Sequence, residues 1–570
     1  MTNFLELRNA RCKDCYRCLR ECPVKAIRFK GHQAEIIEDR CILCGHCTLI
    51  CPQNAKVVHS ELDNVKALLN NTDKVIASVA PSYISSFGLK DFSVMKLALA
   101  KVGFYDAEET AVGAQLVTEE YAKLLRTGEF ENFITSACPA TCRMIQEYYP
   151  KALKYLAPVD SPMVAHAKIL KKQYPEAKVV FIGPCIAKKR EAEESEIIEN
   201  VLTFEDLDLL FEEKNIKLDE ITHVAIGGKK DEAPNTAKEY PINQGIINSF
   251  KELPTGYEYI AIDGPKKCVE ALSNIEYLSH VFLEINLCVD GCVSGPCSLA
   301  KEGGGVRATA EIREYVKRER EKGSSFAPAA LPEVSLTAAH QRIRSHSLPA
   351  SERDIEAILH KTGKMKPEDE LNCGACGYAT CREKAWAVYN GYADIEICLP
   401  YMRQRAESLS YEIIQNSPEG IIVLDSDMNI VDLNSKGREL LGIDDPNAKG
   451  RPAIDFFNPL DFCNAYNKKC HIDCEQMYVH SSGKYVNLSI NYLQGQNVLF
   501  GIMKDITEDV NYEDQIKKVK METLSTTDEV IKKQMRVAQE IASLLGETTA
   551  ETKVALLKLK KTLTDEKPAQ

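Results

Sequence analysis

The sequence predicts a multidomain α/β protein that opens on a small metal-binding unit and closes on helices. Three observations carry this. The chain of 570 residues is too long for one hydrophobic core, its 22 cysteines fall in short-spaced groups, and strand-like runs alternate with helical ones through its middle. Length alone suggests about three to five domains. The N-terminal MTNFLELRNARCKDC has no apolar signal-type core, and no apolar run approaches the roughly 20 residues needed to cross a bilayer. Neither secretion nor a membrane span is expected, and the expected location is the cytoplasm. Closely spaced cysteines in such a chain hold metals more often than disulfides, which fits a reducing, anaerobic cytoplasm. A formal charge of −12 without a basic stripe argues against nucleic acid as a partner.

The first unit, residues 1–62, is read from two cysteine runs. Cys12, Cys15, Cys18 and Cys22 precede Pro23, and Cys41, Cys44, Cys47 and Cys51 precede Pro52. This is the bacterial two-cluster ferredoxin pattern written twice. In such pairs the fourth cysteine crosses over, giving Cys12, Cys15, Cys18 and Cys51 for one [4Fe-4S] cluster and Cys41, Cys44, Cys47 and Cys22 for the other. Thiolates are the soft ligands this iron prefers. A zinc site or a disulfide knot is the alternative. So small a unit should fold only with its metal.

Residues 70–350 read as α/β. VIASVA (75–80) and VVFIG (179–183) are buried-strand patterns, and DFSVMKLALAKVG is helical. The cysteines here lie in Gly/Pro-bearing loops, GPC (183–185) and CVDGCVSGPC (288–297), where a rigid scaffold can present them. The Ser/Ala/Pro-bearing stretch 320–350 reads as a linker or a loosely packed excursion. In the next unit, 351–404, Cys373, Cys376, Cys381 and Cys398 have the short, mixed spacing of one metal site. A [4Fe-4S] cluster is favoured, with tetrahedral zinc as the alternative.

Residues 406–508 alternate strand, turn, strand and helix, with two more strands in KYVNLSINYLQGQNVLFGIMKDIT (484–507), and resemble a PAS domain through SPEGIIVLDSDMNIVDLN and the closing MKDITE. Beyond them, 509–570 reads as C-terminal signalling helices. Ile516, Val519, Val530, Val537 and Leu544 follow a three/four rhythm broken by Thr523, Thr526 and Lys533, as in a marginal coiled coil. A helix packed on its own domain is the alternative. Cys463, Cys470, Cys474 and His471 crowd together, but adjacent Cys470 and His471 cannot easily both face one ion, so ordinary cysteines are preferred to a metal site.

TSACPATC (135–142), IGPCIAKKRE (182–191) and LEINLCVDGCVSGPC (283–297) resemble the three signature motifs of the [FeFe]-hydrogenase catalytic domain. The resemblance implies a domain of two α/β lobes in which Cys138, Cys185, Cys288 and Cys292 hold the cubane of an H-cluster. Cys292 would bridge to a diiron azadithiolate subsite carrying CO and cyanide. Lys188 matches a lysine that donates to cyanide, and Glu191 reads as its salt-bridge partner. The departures from the family are as informative. Ala137 stands where a cysteine passes protons. Glu120 matches the first glutamate of the family's proton exit, but Lys123 stands where the second would be, and LAP (156–158) where a relay serine is expected. Gly183 and Asn286 replace methionines near the cluster. Cys142 and Cys297 are extra thiols, candidates for an unusual proton donor or for inert burial, and Cys268 reads as a core residue.

The order of domains resembles the sensory [FeFe]-hydrogenases, in the divergent group where the shuttle cysteine is alanine. That implies three [4Fe-4S] clusters plus an H-cluster, slow reversible cleavage of H2 with release of protons, and an iron hydrogenase of low activity. It also implies a ferredoxin-like electron partner and a homodimer. With no kinase nucleotide-binding or phosphoacceptor motif in the chain, the output would pass to a separate kinase, phosphatase or regulator. A catalytic hydrogenase subunit is the rival. An H-cluster-free iron–sulfur scaffold is a weaker third, because Lys188 and all four ligand cysteines are present.

Overall fold

The computed structural model describes residues 4–8, 11–31, 33–221, 237–299, 304–321, 332–344, 347–445, 447–545 and 550–564. The chain forms two compact units, Met1–Tyr401 and Met402–Gln570. The ferredoxin-like, central and small cysteine-bearing regions, expected as separate domains, share the first unit.

Within each N-terminal cysteine run a short helix forms, Arg17–Glu21 in one and His46–Leu49 in the other. Strand Leu5–Leu7 pairs antiparallel with Lys56–Val58, and Ile27–Lys30 with Gln33–Ile36. The two halves repeat a bond: the Ala26 N–H donates to Cys22 Sγ at 3.3 Å, and the Ala55 N–H to Cys51 Sγ at 3.4 Å.

The central region holds two parallel sheets. One has the order Asp106–Glu109, Val75–Val79, Lys178–Gly183, Asn200–Thr203, and the other Glu258–Asp263, Val281–Asn286, Phe133–Ile134. Every residue of Val75–Val79 and of Val281–Asn286 is buried, as in parallel strands covered on both faces. The helix in DFSVMKLALAKVG is Phe92–Val102, capped by Asp91. Parallel strands end on one side of their sheet, where α/β proteins bind ligands. The three motif loops leave from such ends, after Ile134, Gly183 and Asn286.

A buried ammonium locks the first sheet to the helix Gly304–Glu321. Lys238 Nζ lies 2.7 Å from both Glu109 Oε2 and Tyr315 Oη, and 3.4 Å from Glu319. Lys238→Met would leave the buried Glu109 carboxylate without its nearest cation. It is expected to destabilise the chain by about 3 kcal/mol, measured as a fall in the urea midpoint.

The stretch read as a linker is tied down where it is described. Thr337 bridges Val159 antiparallel. The Asp160 N–H donates to Leu336 O at 2.8 Å, Ala338 N–H to Pro158 O at 3.1 Å, and Ile343 N–H to Gln146 O at 3.0 Å. These are backbone bonds, so side-chain patterning carried no sign of them. Residues 322–331 and 345–346 of the stretch lie outside the described residues.

The small region contributes helices Glu352–Lys361, with a Ser351/Asp354 capping box, and Cys381–Tyr389. Buried Arg40 joins it to the rest of the unit. Its guanidinium lies 4.5 Å from the ring centroid of Tyr392, 5.8 Å from Trp386 and 5.3 Å from Tyr148.

The second unit is a five-stranded antiparallel sheet ordered Ile430–Leu433, Gly420–Leu424, Val498–Asp505, Lys484–Leu493, Ile472–Val479. Four of these strands match the sequence reading. The edge strand Ile472–Val479 does not, because a register shift between Cys474 and Met477, with Gln476 at φ +50°, breaks its period-two pattern. Helices Thr507–Leu545 and Ala550–Thr564 follow, joined by a Lys560–Asp528 ion pair at 3.0 Å. Ile516, Val519, Val530 and Val537 are exposed on the first of these, so that helix is not packed onto its own domain through them.

Candidate metal centre

The four cysteines of the three motifs converge from both sheets. Cys138 immediately precedes the helix Pro139–Tyr148, whose first-turn proline suits the start of a helix. Cys185 follows strand Lys178–Gly183. Cys288 and Cys292 flank a tight turn in which Gly291 has φ +82°, and a Cβ there would stand 2.6 Å from Pro241 O. Only glycine suits that turn. Burial, then the neighbouring Cys138, pushes the Cys185 thiol up to about 11. Burial, then Cys185 and Cys138, pushes Cys292 up to about 12. Cys288 is raised well above its ordinary value by burial, then by Cys185, Cys292, Cys138 and Cys44.

Lys188 stands beside them on helix Ala187–Ser195. Its buried ammonium donates to Glu191 Oε2 at 2.6 Å, Ser161 Oγ at 2.9 Å and Ala137 O at 3.5 Å. The Glu191 pairing is the one expected. Cys142 is buried, its thiol donating to Ser136 O at 3.4 Å, and burial raises it well above the ordinary value. Cys297 is fully buried and likewise raised by burial, and Cys268 is a core residue whose thiol donates to Asn286 O. Glu120 lies apart, on the helix Ala111–Thr127, paired with exposed Lys123 at 2.9 Å.

Glu284, four residues before Cys288, was passed over in the sequence reading. The signal was there: a carboxylate inside the buried strand VFLEIN. Its Oε2 accepts the Ile247 N–H at 2.9 Å while Oε1 has no hydrogen-bond partner among the described residues. Burial raises the carboxyl to about 8, against the pull of the backbone N–H groups of residues 244–247.

The donor set suits an iron–sulfur group with anionic ligands. Cys138, Cys185 and Cys292, each half-buried, lie within electrostatic reach of the Lys188 ammonium, and Asn286 Nδ2, two residues before Cys288, is a buried donor lacking a partner among the described residues. Among those residues no three His, Cys, Asp or Glu side chains converge on a single ion. A tetrahedral zinc draws its sulfurs to about 2.3 Å from one point, whereas a cubane gives each thiolate its own iron and keeps the sulfurs farther apart. Cys463 lies on helix Leu460–Lys468, Cys474 on the edge strand, and His471 is engaged by Asn491 at 3.0 Å and Asp473 at 2.8 Å.

The N-terminal cysteines join this centre through one apolar core in which Cys22, Cys41, Cys44 and Cys47 pack with Cys138 and Cys185. On the other side, Cys12 and Cys18 share a core with Cys376, Tyr378 and Trp386. Gly377 marks the second join: at φ +88°, a Cβ there would stand 3.1 Å from Arg20 Cα. Buried Lys56 sits beside Cys18, Cys47 and Cys51.

Comparison with known proteins agrees with this layout. Residues 73–296 match the family described as iron only hydrogenase large subunit, C-terminal domain. Residues 11–55 match a 4Fe-4S dicluster domain, 369–400 an Fe–S cluster family, and 408–471 a PAS domain. The NADP-reducing hydrogenase subunit HndD of Solidesulfovibrio fructosivorans is 26% identical over 277 residues, 42% of this chain and 47% of that one. Iron hydrogenase 1 of Clostridium pasteurianum is 26% identical over 368 residues, 51% of this chain and 64% of its own length. The chain thus spans about half to two thirds of these curated relatives. Among solved structures, a [FeFe]-hydrogenase from Chlamydomonas reinhardtii is 17% identical, with a TM-score of 0.36 and coverage of 45% of this chain and 88% of that one. The PAS domain of an HTR-like protein from Haloarcula marismortui is 24% identical, with a TM-score of 0.16 and coverage of 19% and 99%. No helix among the described residues is long and apolar enough to cross a membrane.

Proposed function

We propose that the chain is a hydrogen-responsive [FeFe]-hydrogenase of low turnover, reporting its redox or ligand state through iron–sulfur clusters and the PAS module to a separate protein. When bound, the H-cluster supplies reversible heterolytic cleavage of hydrogen. Cys138, Cys185, Cys288 and Cys292 would hold it. Lys188, oriented by Glu191 and Ser161, would donate to its anionic ligands, and Asn286 offers a second donor. Electrons would pass to the sets Cys41/Cys44/Cys47/Cys22, Cys12/Cys15/Cys18/Cys51 and Cys373/Cys376/Cys381/Cys398.

The observation that carries the low-turnover reading is Ala137. A methyl group can neither give nor take a proton, and a positioned acid–base group contributes about 10²–10⁴-fold to such a step. The other candidates on the expected route are engaged elsewhere. The Cys142 thiol donates to Ser136 O, and Glu120 is paired with Lys123. Slow proton exchange prolongs the hydrogen-bound state, which suits detection rather than throughput. The exposed stripe Ile516, Val519, Val530 and Val537 suits a parallel homodimer that passes the state to a kinase, phosphatase or regulator.

One observation favours the rival, a working catalytic subunit whose C-terminal domains dock a redox partner. A polar cavity of about 340 Å³ is lined by Cys142, Ser161, Glu191, Asp160 and His340, and would give protons another way out. Infrared spectroscopy of the anaerobically matured chain under argon and hydrogen, with turnover assayed on the same sample, separates the readings. Hydrogen-dependent CO and cyanide bands with low turnover are expected. The same bands with high turnover would establish the catalytic subunit, and their absence after full maturation would leave an iron–sulfur scaffold.

A further inference from the structure

Two lysines that the mechanism above does not use are buried around the small cysteine set. Lys364 and Lys384 are 8% and 6% exposed, although lysine is rarely buried without a negative partner. Lys364 Nζ donates to Cys398 Sγ at 3.4 Å and is held there by Thr362 Oγ1 at 3.0 Å and Thr362 O at 3.3 Å. Lys384 rises from helix Cys381–Tyr389, one turn after Cys381, and donates to Ile395 O at 2.9 Å, three residues before Cys398. Burial lowers its ammonium, and the thiols of Cys398 and Cys376 act against that. Two ammoniums therefore face one four-cysteine set, and the backbone holds each in place.

We infer that Lys364 and Lys384 make the cluster held by Cys373, Cys376, Cys381 and Cys398 the highest-potential site on the electron path, where an electron taken from hydrogen comes to rest. This rests on the reading of that set as a [4Fe-4S] site and of the central domain as hydrogen-cleaving. The physical cause is electrostatic. Reduction adds a negative charge to a group that is already anionic, and buried, fixed cations stabilise the reduced form more than the oxidised one. Oxidation of one H2 gives two protons, which leave to solvent, and two electrons. One electron reduces this cluster and the second rests on a ferredoxin-type cluster. The reduced state is thereby stored in the region that immediately precedes the PAS module in the chain.

The test is a potentiometric titration followed by electron paramagnetic resonance, on the full chain reconstituted anaerobically with iron and sulfide. The signal lost in Cys376→Ala identifies the cluster. In the unmodified chain this signal is expected to develop first on reduction. Lys364→Met and Lys384→Met should each shift its reduction equilibrium at least tenfold towards the oxidised form, ~59 mV for one electron. Lys364→Arg and Lys384→Arg should retain most of the original position, because the charge is kept. Lys→Gln at each site serves where a methionine variant does not fold. The inference is overturned if another cluster reduces first, if the neutral variants leave the midpoint unmoved, or if the arginine variants move it as far as the methionine ones. A Cys376→Ala chain that loses no signal would also overturn it, together with the cluster reading of this set, while the infrared test of the central domain would stand independently.

Discussion

Replacing Gly45 by leucine is expected to stop electrons passing between the Cys41/Cys44/Cys47/Cys22 set and the Cys138/Cys185/Cys288/Cys292 set. Gly45 has φ +71°, and a Cβ there would stand 2.5 Å from Pro296 Cγ and 2.8 Å from Ile186 Cδ1. Pro296 and Ile186 adjoin Cys297 and Cys185, and neighbouring Cys44 is close enough to raise the Cys288 thiol. Gly45 is therefore a point where the ferredoxin-like unit lies too close to the central domain to admit a side chain. A leucine would add backbone strain of ~1–3 kcal/mol and overpacking of ~1–3 kcal/mol, relieved most readily by parting the two surfaces. Electron tunnelling falls steeply with such separation. In the matured variant, hydrogen should no longer reduce the N-terminal clusters, while dithionite still reduces them and the infrared bands persist. Gly31→Leu is the control, since Gly31 also has positive φ but has open space around its Cβ position. Unimpaired reduction by hydrogen in the Gly45 variant would show that electrons leave the central domain elsewhere.

Glu284→Gln is expected to change how stability depends on pH. In the folded chain Glu284 titrates at about 8 because of burial, against an ordinary value of 4.5. Below about 4.5 both states hold the proton and the group contributes nothing to the pH dependence. Between about 4.5 and 8 the unfolded chain loses the proton while the folded chain keeps it, so rising pH favours unfolding; above about 8 the cost is constant. Glutamine removes that cost and keeps an acceptor for the Ile247 N–H. The variant should therefore gain on the parent as pH rises from 5 to 8, by as much as ~4 kcal/mol at the top of the range. Urea unfolding at pH 5 and at pH 8.5 reads this directly, and parallel pH profiles for the two chains would refute the assignment. The carboxyl lies four residues from Cys288, so the two chains are compared at equal iron and sulfide content, measured on each sample.

Much of this protein is legible without coordinates because its metal chemistry is local. Candidate ligands offered from one loop recur at short spacings, so Cys12, Cys15 and Cys18, or Cys288 and Cys292, stand out as sets in the sequence. The strands Val75–Val79, Lys178–Gly183 and Gly420–Leu424 follow from runs of apolar residues or from alternation, which are also local. The edge strand Ile472–Val479 escaped because a bulge at Gln476 breaks that alternation. The strap around Thr337 escaped because it is held by backbone hydrogen bonds, which any residue but proline can donate.

The sequence by itself determined which cysteines come in sets and that strands and helices alternate in the central region. Only the tertiary structure decided what those sets face. It brought Cys138 of one sheet to Cys185 of the other, engaged Lys188 with Glu191 and Ser161, and seated Gly45 against Pro296. It also turned Lys364 onto Cys398, 34 residues away. The physical reason is range. Spacing and periodicity record constraints within a loop, a turn of helix or a strand, whereas the electrostatics of a buried thiol or carboxylate depend on neighbours that packing brings from distant parts of the chain.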